Sequence, residues 1–199
     1  MYKVYGDINS GNCYKIKLLM GLLDIDHEWI HVDVMSGESR TPEFLEMNPN
    51  GKIPVITLPD GRHLFESNAI LNYLAEGSAY LPSDPFLRAQ VLQWQCFEQY
   101  SHEPYIATSR YIIKYLGRPE ERMKDLEVRR KGGYMALDVM ERHLAESEYF
   151  VGNSYSIADI SLYAYTHVAE EGDFRLGNYP LIRRWLDRLA SHPKHVTMT

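Results

Sequence analysis

The sequence has few cysteines, no long apolar run and no excess of basic residues. Its two cysteines, Cys13 and Cys96, lie far apart, so they predict neither a disulfide framework nor a Cys-x-x-Cys metal knuckle. No apolar run approaches the ~18 residues of a membrane-spanning helix, and the first residues do not read as a secretion signal. We therefore expect a cytoplasmic protein with no metal site and no membrane partner.

The charge balance also limits the partners. There are 21 lysines and arginines against 27 aspartates and glutamates, which gives a formal net charge of −6. Nucleic acids attract basic faces, so we expect no nucleic-acid partner. Hydrophobic residues make up 45% of the 199 positions, a composition typical of a protein with buried cores, and the length suits two small domains.

Strand and helix patterns alternate in the first part of the chain. Residues 2–7 alternate as a strand does, and the turn at 9–12 precedes an apolar helical run. A second strand and a short helix opened by Thr41 and Pro42 follow, and then a hairpin and a helix capped by Ser67. The resulting βαβαββα order predicts an α/β thioredoxin-like domain over residues 1–77.

The second part of the chain is predicted to be entirely helical. Residues 78–85 contain prolines and read as a linker, and helical periodicity prevails from residue 86 onward. We therefore expect an all-α domain over residues 86–199. Pro104 lies within its first predicted helix, where it should kink the helix or end and restart it.

The turn after the first strand carries Ser10-Gly11-Asn12-Cys13. Thioredoxin-like folds place a Cys-x-x-Cys redox pair here, so the serine at the first position excludes a dithiol cycle. Exposed amides at the following helix N-terminus favour an anion such as a bound thiolate. Ser10 and Asn12 can each donate a hydrogen bond to it, or they can simply cap the helix. We interpret Cys13 as a structural residue.

Two other segments suit an extended peptide ligand. Lys52-Ile53-Pro54 enters the third strand, where this fold places a cis X-Pro bond and leaves the preceding backbone able to pair with a peptide. Lys52 can meet a terminal carboxylate there, or it is a solvated surface lysine. Glu66 suits an ammonium group and Ser67 a carboxylate, although a helix cap explains the serine equally well.

Four segments, in this order and spacing, resemble the bacterial cytosolic glutathione transferases. They are Ser10–Lys15, Asn48–Val55, Glu66–Ile70 and Ser156–Asp159. The resemblance covers essentially the whole chain and implies a detoxifying transferase that uses glutathione as co-substrate and a small electrophile as its second substrate. It also implies a homodimer. Ser156–Asp159 resembles the folding motif of the family and reads as a capping box.

The same resemblance implies individual roles in holding glutathione. Lys52 would contact the glycine carboxylate, the Ile53 backbone would pair with the cysteinyl unit, and Pro54 would be cis. Glu66 and Ser67 would hold the γ-glutamyl end.

The thiolate position leaves the subclass open. Ser10 stands where theta-like members carry a thiolate-stabilising serine, and Asn12 matches the asparagine of the nu-like Thr-Pro-Asn turn, whose members also reduce disulfides. Position 10 lacks the cysteine of the beta and omega types, and the first turn lacks the tyrosine of the alpha, mu and pi enzymes.

The helical domain is expected to form the electrophile pocket. The residues that we expect to line it are His102, Tyr105, Ile106 and Tyr111. His102-Glu103 is not followed by the second histidine of an H-E-x-x-H motif, so it predicts no metal. The main hypothesis is glutathione conjugation, the alternative is glutathione-dependent reduction of a disulfide or peroxide, and a third is a noncatalytic binding or assembly module.

Overall fold

The computed structural model describes residues 1–199 and divides them into two units. The first comprises residues 1–78 together with 193–199, and the second comprises residues 79–192. The sequence predicts that residues 193–199 belong to the helical domain, whereas in the structure this tail packs within the first unit. No helix combines the length and the apolar composition that crossing a membrane requires.

The first unit is built on a four-stranded mixed sheet. Its strands are β1 (Tyr2–Gly6), β2 (His27–His31), β3 (Val55–Thr57) and β4 (His63–Phe65). They lie in the order β2-β1-β3-β4, with β1 and β2 parallel and the other two pairs antiparallel. The helices of the unit are α1 (Gly11–Leu22), α2 (Pro42–Met47) and α3 (Ser67–Ala75). The predicted βαβαββα thioredoxin-like arrangement is confirmed.

Local sequence signals explain where these helices begin. The Ser10 side chain accepts a hydrogen bond from the backbone N–H of Cys13 and caps α1. Thr41 caps α2 in the same way, with Pro42 in the first turn. For α3 the structure corrects the sequence analysis by one position: Glu66 is the N-cap, and Ser67 is the first helical residue.

The C-terminal tail lies against α1. Tyr14 donates a hydrogen bond from its hydroxyl to the Val196 carbonyl oxygen at 2.8 Å, and Lys17 Nζ donates to the Met198 carbonyl oxygen at 3.0 Å. The tail also packs closely against Gly21. A Cβ at position 21 would overlap the Val196 side chain. These contacts are the physical reason that the tail belongs to the first unit.

The second unit is all-helical, as predicted. Its α-helices are α4 (Pro85–Phe97), α5 (Glu103–Arg110), α6 (Met123–His143), α7 (Ile157–Thr166) and α8 (Pro180–Ala190). A π-helical turn at Glu98–His102 separates α4 from α5, and Pro104 sits in the first turn of α5, where its missing N–H leaves no helical hydrogen bond unmade. The expected interruption of the first long helix is therefore present.

A buried carboxylate organises the core of the second unit. Ser156 and Asp159 form the predicted capping box at the start of α7. Asp159 Oδ1 also accepts hydrogen bonds from the Phe150 backbone at 3.1 Å and from Trp185 Nε1 at 2.9 Å. Burial raises the pKa of Asp159 to about 6, although all of these donors favour the charged form. Asp159 therefore ties α7 to α8 and to the segment before α7.

Candidate functional site

The N-terminus of α1 presents Ser10 and Asn12 at a partly exposed surface of the first unit. Ser10 has extended backbone angles, with φ −80° and ψ 124°, and the Cys13 N–H to Ser10 Oγ distance is 3.5 Å. This capping bond is long, and it uses Ser10 Oγ only as an acceptor. The Ser10 hydroxyl proton thus remains a donor for an anion beside the helix end.

Asn12 is joined to the start of α3 by a short hydrogen-bond chain. Ser67 Oγ donates to Asn12 Oδ1 at 3.2 Å, and Lys15 Nζ donates to Ser67 Oγ at 3.4 Å. The Lys15 side chain is fully buried, with 0% exposure, and Ser67 is 6% exposed. The two segments that the sequence analysis assigned to the thiolate and to the γ-glutamyl end are therefore in direct contact.

Glu66 adopts a backbone conformation that is unusual for a non-glycine residue. Its φ is +67° and its ψ is 110°, and its side chain is exposed. A left-handed φ at such a residue costs on the order of 1–3 kcal/mol and persists only where surrounding structure imposes it. Here β4 ends at Phe65 and α3 begins at Ser67, so one residue makes the turn between strand and helix. This turn makes Glu66 the N-cap residue of α3.

The loop before β3 carries Lys52 and Ile53. The Ile53–Pro54 bond is cis, as predicted. Buried Asn48 holds the loop, because its Nδ2 donates to the Lys52 carbonyl oxygen at 2.7 Å and its Oδ1 accepts from the Asn50 N–H at 3.0 Å. The Lys52 side chain is exposed, so its ammonium group is available to a ligand carboxylate.

Cys13 faces the interior of the first unit, as interpreted from the sequence. Its side chain is fully buried against Gly6, where an added Cβ would come within 2.6 Å of the Cys13 sulfur. Burial raises the pKa of the thiol to about 12. A thiol with this pKa stays protonated at neutral pH, so Cys13 is not a nucleophile there.

The four residues expected to line the electrophile pocket lie in different environments within the helical unit. His102 is buried, and its Nε2 donates to Thr166 Oγ1 at 2.9 Å, because the threonine hydroxyl donates onward to the Leu162 carbonyl oxygen. Ile106 is also fully buried. Tyr105 is half-buried against Gly132, and Tyr111 is 41% exposed with its ring stacked on Tyr115. Only the two tyrosines therefore have exposed surface.

The donor and acceptor groups of the first unit suit an elongated peptide with charged ends. The exposed Lys52 ammonium suits a carboxylate at one end, and the exposed Glu66 carboxylate suits an ammonium at the other. The N-termini of α1 and α3 suit anions. No group of three or more His, Cys, Asp or Glu side chains is arranged to hold a metal ion.

Sequence reasoning missed two residues of this site, Lys15 and Asn48. A lysine in a helix is usually solvated, so nothing in the pattern of α1 predicts a fully buried ammonium group. Asn48 precedes Pro49 and reads as a turn residue. The structure shows that Asn48 anchors the loop, because its side chain is buried and bonds to the Lys52 carbonyl oxygen.

Two family models match the chain. "Glutathione S-transferase, N-terminal domain" matches residues 9–76, and "Glutathione S-transferase, C-terminal domain" matches residues 94–193. The chain is also 31% identical over 189 residues to the disulfide-bond oxidoreductase YfcG of Escherichia coli (strain K12), with 92% of this chain and 87% of the relative covered.

Solved structures give the same family. A glutathione S-transferase from Pseudomonas fluorescens Pf-5 is 61% identical, with a TM-score of 0.98 and coverage of 99% of this chain and 98% of that one. A glutathione transferase family member from the same organism, with two glutathione bound, is 28% identical, with a TM-score of 0.85 and coverage of 97% and 89%.

Proposed function

Because the chain belongs to the glutathione S-transferase superfamily, we propose that it binds glutathione, stabilises its thiolate and directs the sulfur to a small electrophile. The observation that carries the proposal is the contact between Asn12 and Ser67. These residues are 55 positions apart, and their hydrogen bond brings the proposed thiolate site to the proposed γ-glutamyl site. A cysteinyl sulfur and a γ-glutamyl group are adjacent in glutathione, so one ligand molecule can reach both.

The ends of glutathione are assigned by charge. Lys52 holds the glycine carboxylate, and the Ile53 backbone before Pro54 pairs with the cysteinyl unit. Glu66 holds the γ-glutamyl ammonium. The Ser67 hydroxyl already donates to Asn12, so the backbone N–H of Ser67, at the first turn of α3, is the donor to the γ-glutamyl carboxylate.

The chemical step depends on keeping the sulfur ionised. A free thiol has a pKa of about 8.5, and lowering it by about two units corresponds to about 2.7 kcal/mol. Hydrogen bonds from Ser10 and Asn12 together with the α1 N-terminus supply a stabilisation of this order. With an aromatic halide, the thiolate forms the carbon–sulfur bond, the carbon–halogen bond breaks, and the halide ion leaves with the electron pair.

The helical unit is proposed to hold the electrophile. Tyr105 and Tyr111 offer aromatic surface to an apolar substrate, whereas His102 and Ile106 are buried and offer it no exposed side chain. The acidic composition favours small molecules over nucleic acids. We further propose a cytoplasmic homodimer that acts in detoxification.

Glutathione-dependent disulfide reduction is the second candidate. It is favoured by the similarity to the E. coli disulfide-bond oxidoreductase and by Asn12, which matches the asparagine of the nu-like turn whose members also reduce disulfides. In this reaction the thiolate of one glutathione attacks a substrate disulfide, its sulfur–sulfur bond breaks, and one substrate thiolate leaves. The thiolate of a second glutathione then attacks the glutathione sulfur of the mixed disulfide, which expels the second substrate thiolate and forms oxidised glutathione. No protein cysteine takes part.

The test measures turnover of an aromatic halide and of bis(2-hydroxyethyl) disulfide by the wild type and by the Ser10→Ala and Asn12→Ala variants. We expect at least one variant to lose about tenfold or more in kcat/KM, because each removes a donor to the thiolate. The ratio of the two wild-type rates decides between conjugation and reduction. Wild-type rates in both variants would refute the assigned site. Absence of glutathione binding by calorimetry would instead favour a noncatalytic module.

A further inference from the structure

A fully buried lysine starts the hydrogen-bond chain that ends at the proposed thiolate site. We propose that Lys15 is a positioning residue that, through Ser67, turns the Asn12 carboxamide so that its NH2 group faces the glutathione sulfur. The inference rests on the proposed function, because it assigns Asn12 to the thiolate. It adds a third residue, outside the groups that touch glutathione, to the control of thiolate ionisation.

The environment of Lys15 sets it apart from its neighbour Lys17. Lys15 is 0% exposed, whereas Lys17, two positions later on α1, is partly exposed and bonds to the tail carbonyl of Met198. Burying an ammonium group is unfavourable unless polar partners compensate, so lysines are rarely fully buried. A fully buried lysine whose ammonium group donates to Ser67, at the proposed γ-glutamyl site, is therefore an unusual feature of α1.

The direction of the hydrogen bonds follows from the chemistry of the three side chains. An ammonium group only donates, so the Lys15 bond occupies a lone pair of Ser67 Oγ. The single Ser67 hydroxyl proton goes to Asn12 Oδ1. With its oxygen turned toward Ser67, the Asn12 carboxamide directs its NH2 group the other way. Lys15 thus favours the one amide orientation in which Asn12 is a donor.

The hydrogen-bond chain from Lys15 through Ser67 also polarises the donor group of Asn12. A cation at its origin draws electron density from Ser67 and so strengthens the bond from Ser67 to Asn12, and successive bonds in a buried chain reinforce one another. The NH2 group of Asn12 becomes a better donor to a negatively charged sulfur. Removing the cation would weaken the preference of the Ser67 hydroxyl for Asn12 Oδ1, and with it the control that Ser67 has over the Asn12 amide orientation.

The experiment compares Lys15→Met, Lys15→Arg and the control Lys17→Met with the wild type. Methionine has nearly the shape of the lysine stem and suits a buried site, so the Lys15→Met protein should fold. Arginine retains the donor and the charge. The readouts are the thiol pKa of bound glutathione, from thiolate ultraviolet absorbance against pH, and kcat and KM for an aromatic halide.

We expect Lys15→Met to raise the pKa of the bound thiol by about one unit and to lower kcat/KM about tenfold at pH 6.5, with KM for glutathione changed less than about threefold. The kcat/KM of Lys15→Arg should stay within about threefold of the wild-type value, and the kcat/KM of Lys17→Met should equal the wild-type value. In the Asn12→Ala background, Lys15→Met should cause no further rise in the thiol pKa, because Lys15 acts on the thiolate only through Asn12.

Two outcomes separate failure of this inference from failure of the proposed function. If the wild type binds glutathione and Asn12→Ala raises the thiol pKa but Lys15→Met does not, Lys15 has no positioning role. If neither variant changes the thiol pKa, the assignment of Asn12 to the thiolate is wrong and the inference fails with it. Lys15→Arg distinguishes lost charge from lost packing. If arginine keeps the thiol pKa of bound glutathione at its wild-type value and methionine does not, the positive charge is what matters.

Discussion

The Tyr14 hydroxyl donates a hydrogen bond to the Val196 carbonyl oxygen at 2.8 Å, across 182 positions of sequence. Because the phenolic proton is used in this bond, the Tyr14 oxygen accepts from His195 Nε2 at 3.2 Å. The tail is therefore joined to the helix that carries Ser10 and Asn12. Its contribution to the first unit can be measured separately from any effect on chemistry.

Removing the Tyr14 hydroxyl should destabilise the protein. Tyr14→Phe leaves the Val196 carbonyl and the His195 ring each without one partner, and we expect a loss of about 1–2 kcal/mol in the free energy of unfolding. Urea denaturation followed by circular dichroism measures it. The control is Tyr100→Phe, since Tyr100 is 82% exposed. Equal midpoints for the two variants would show that the tail adds no stability through this bond.

The two cysteines should differ in reactivity toward a thiol reagent. Cys96 is exposed, whereas Cys13 is buried with its pKa raised to about 12, so the native protein should titrate one thiol with an aromatic disulfide reagent and the denatured protein two. Cys13→Ala should keep conjugation within about threefold of the wild type, because Cys13 has no chemical role. Rapid labelling of Cys13 in the native protein would contradict this.

The buried Asp159 carboxyl should make stability depend on pH. Its folded pKa of about 6 lies above its ordinary value of 3.8, so between these values the folded state binds more protons than the unfolded state. The free energy of unfolding should therefore fall as pH rises from about 4 to 6, and the loss should persist above pH 6.

The matched comparison for that prediction is Asp159→Asn. This variant removes the titration and turns an amide toward the Ser156 N–H, so it should be less stable by about 1–3 kcal/mol at pH 7 and show a flatter pH profile between 4 and 6. Urea unfolding at half-unit pH steps measures both effects. Parallel pH profiles for the two proteins would exclude Asp159 as the titrating group.

Glu66→Gln should weaken glutathione binding without affecting folding. The side chain is exposed, and the substitution removes the charge proposed to pair with the γ-glutamyl ammonium. We expect about a tenfold increase in KM for glutathione and less than about 0.5 kcal/mol change in stability. Glu46→Gln, at an exposed position of α2, is the control. If both variants retain the wild-type KM, the charge of Glu66 does not contribute to binding.

Local patterns in the sequence are enough to predict the order of the elements and the start of most helices. Alternation in β1, the caps at Ser10 and Thr41, and the capping box at Ser156 are local signals, because each depends on residues within one helical turn or one strand. Such signals predicted the βαβαββα unit and the helices after it. The cap at Ser67 was displaced by one residue, because Glu66 makes the turn with a left-handed φ.

The burial of polar groups and the identity of their partners depend instead on the tertiary fold. Lys15 looks like an ordinary helical lysine until α3 brings Ser67 to it, and Asn12 acquires its partner from the same helix start. From the sequence, the C-terminal tail looks like the end of the helical domain. The hydrogen bond between Val196 and Tyr14 shows that it belongs to the first unit. Periodicity along a chain predicts secondary structure, but the environment of a side chain depends on residues that are distant in sequence. Those distant residues determine how much desolvation a buried polar group suffers and how many hydrogen bonds compensate for it.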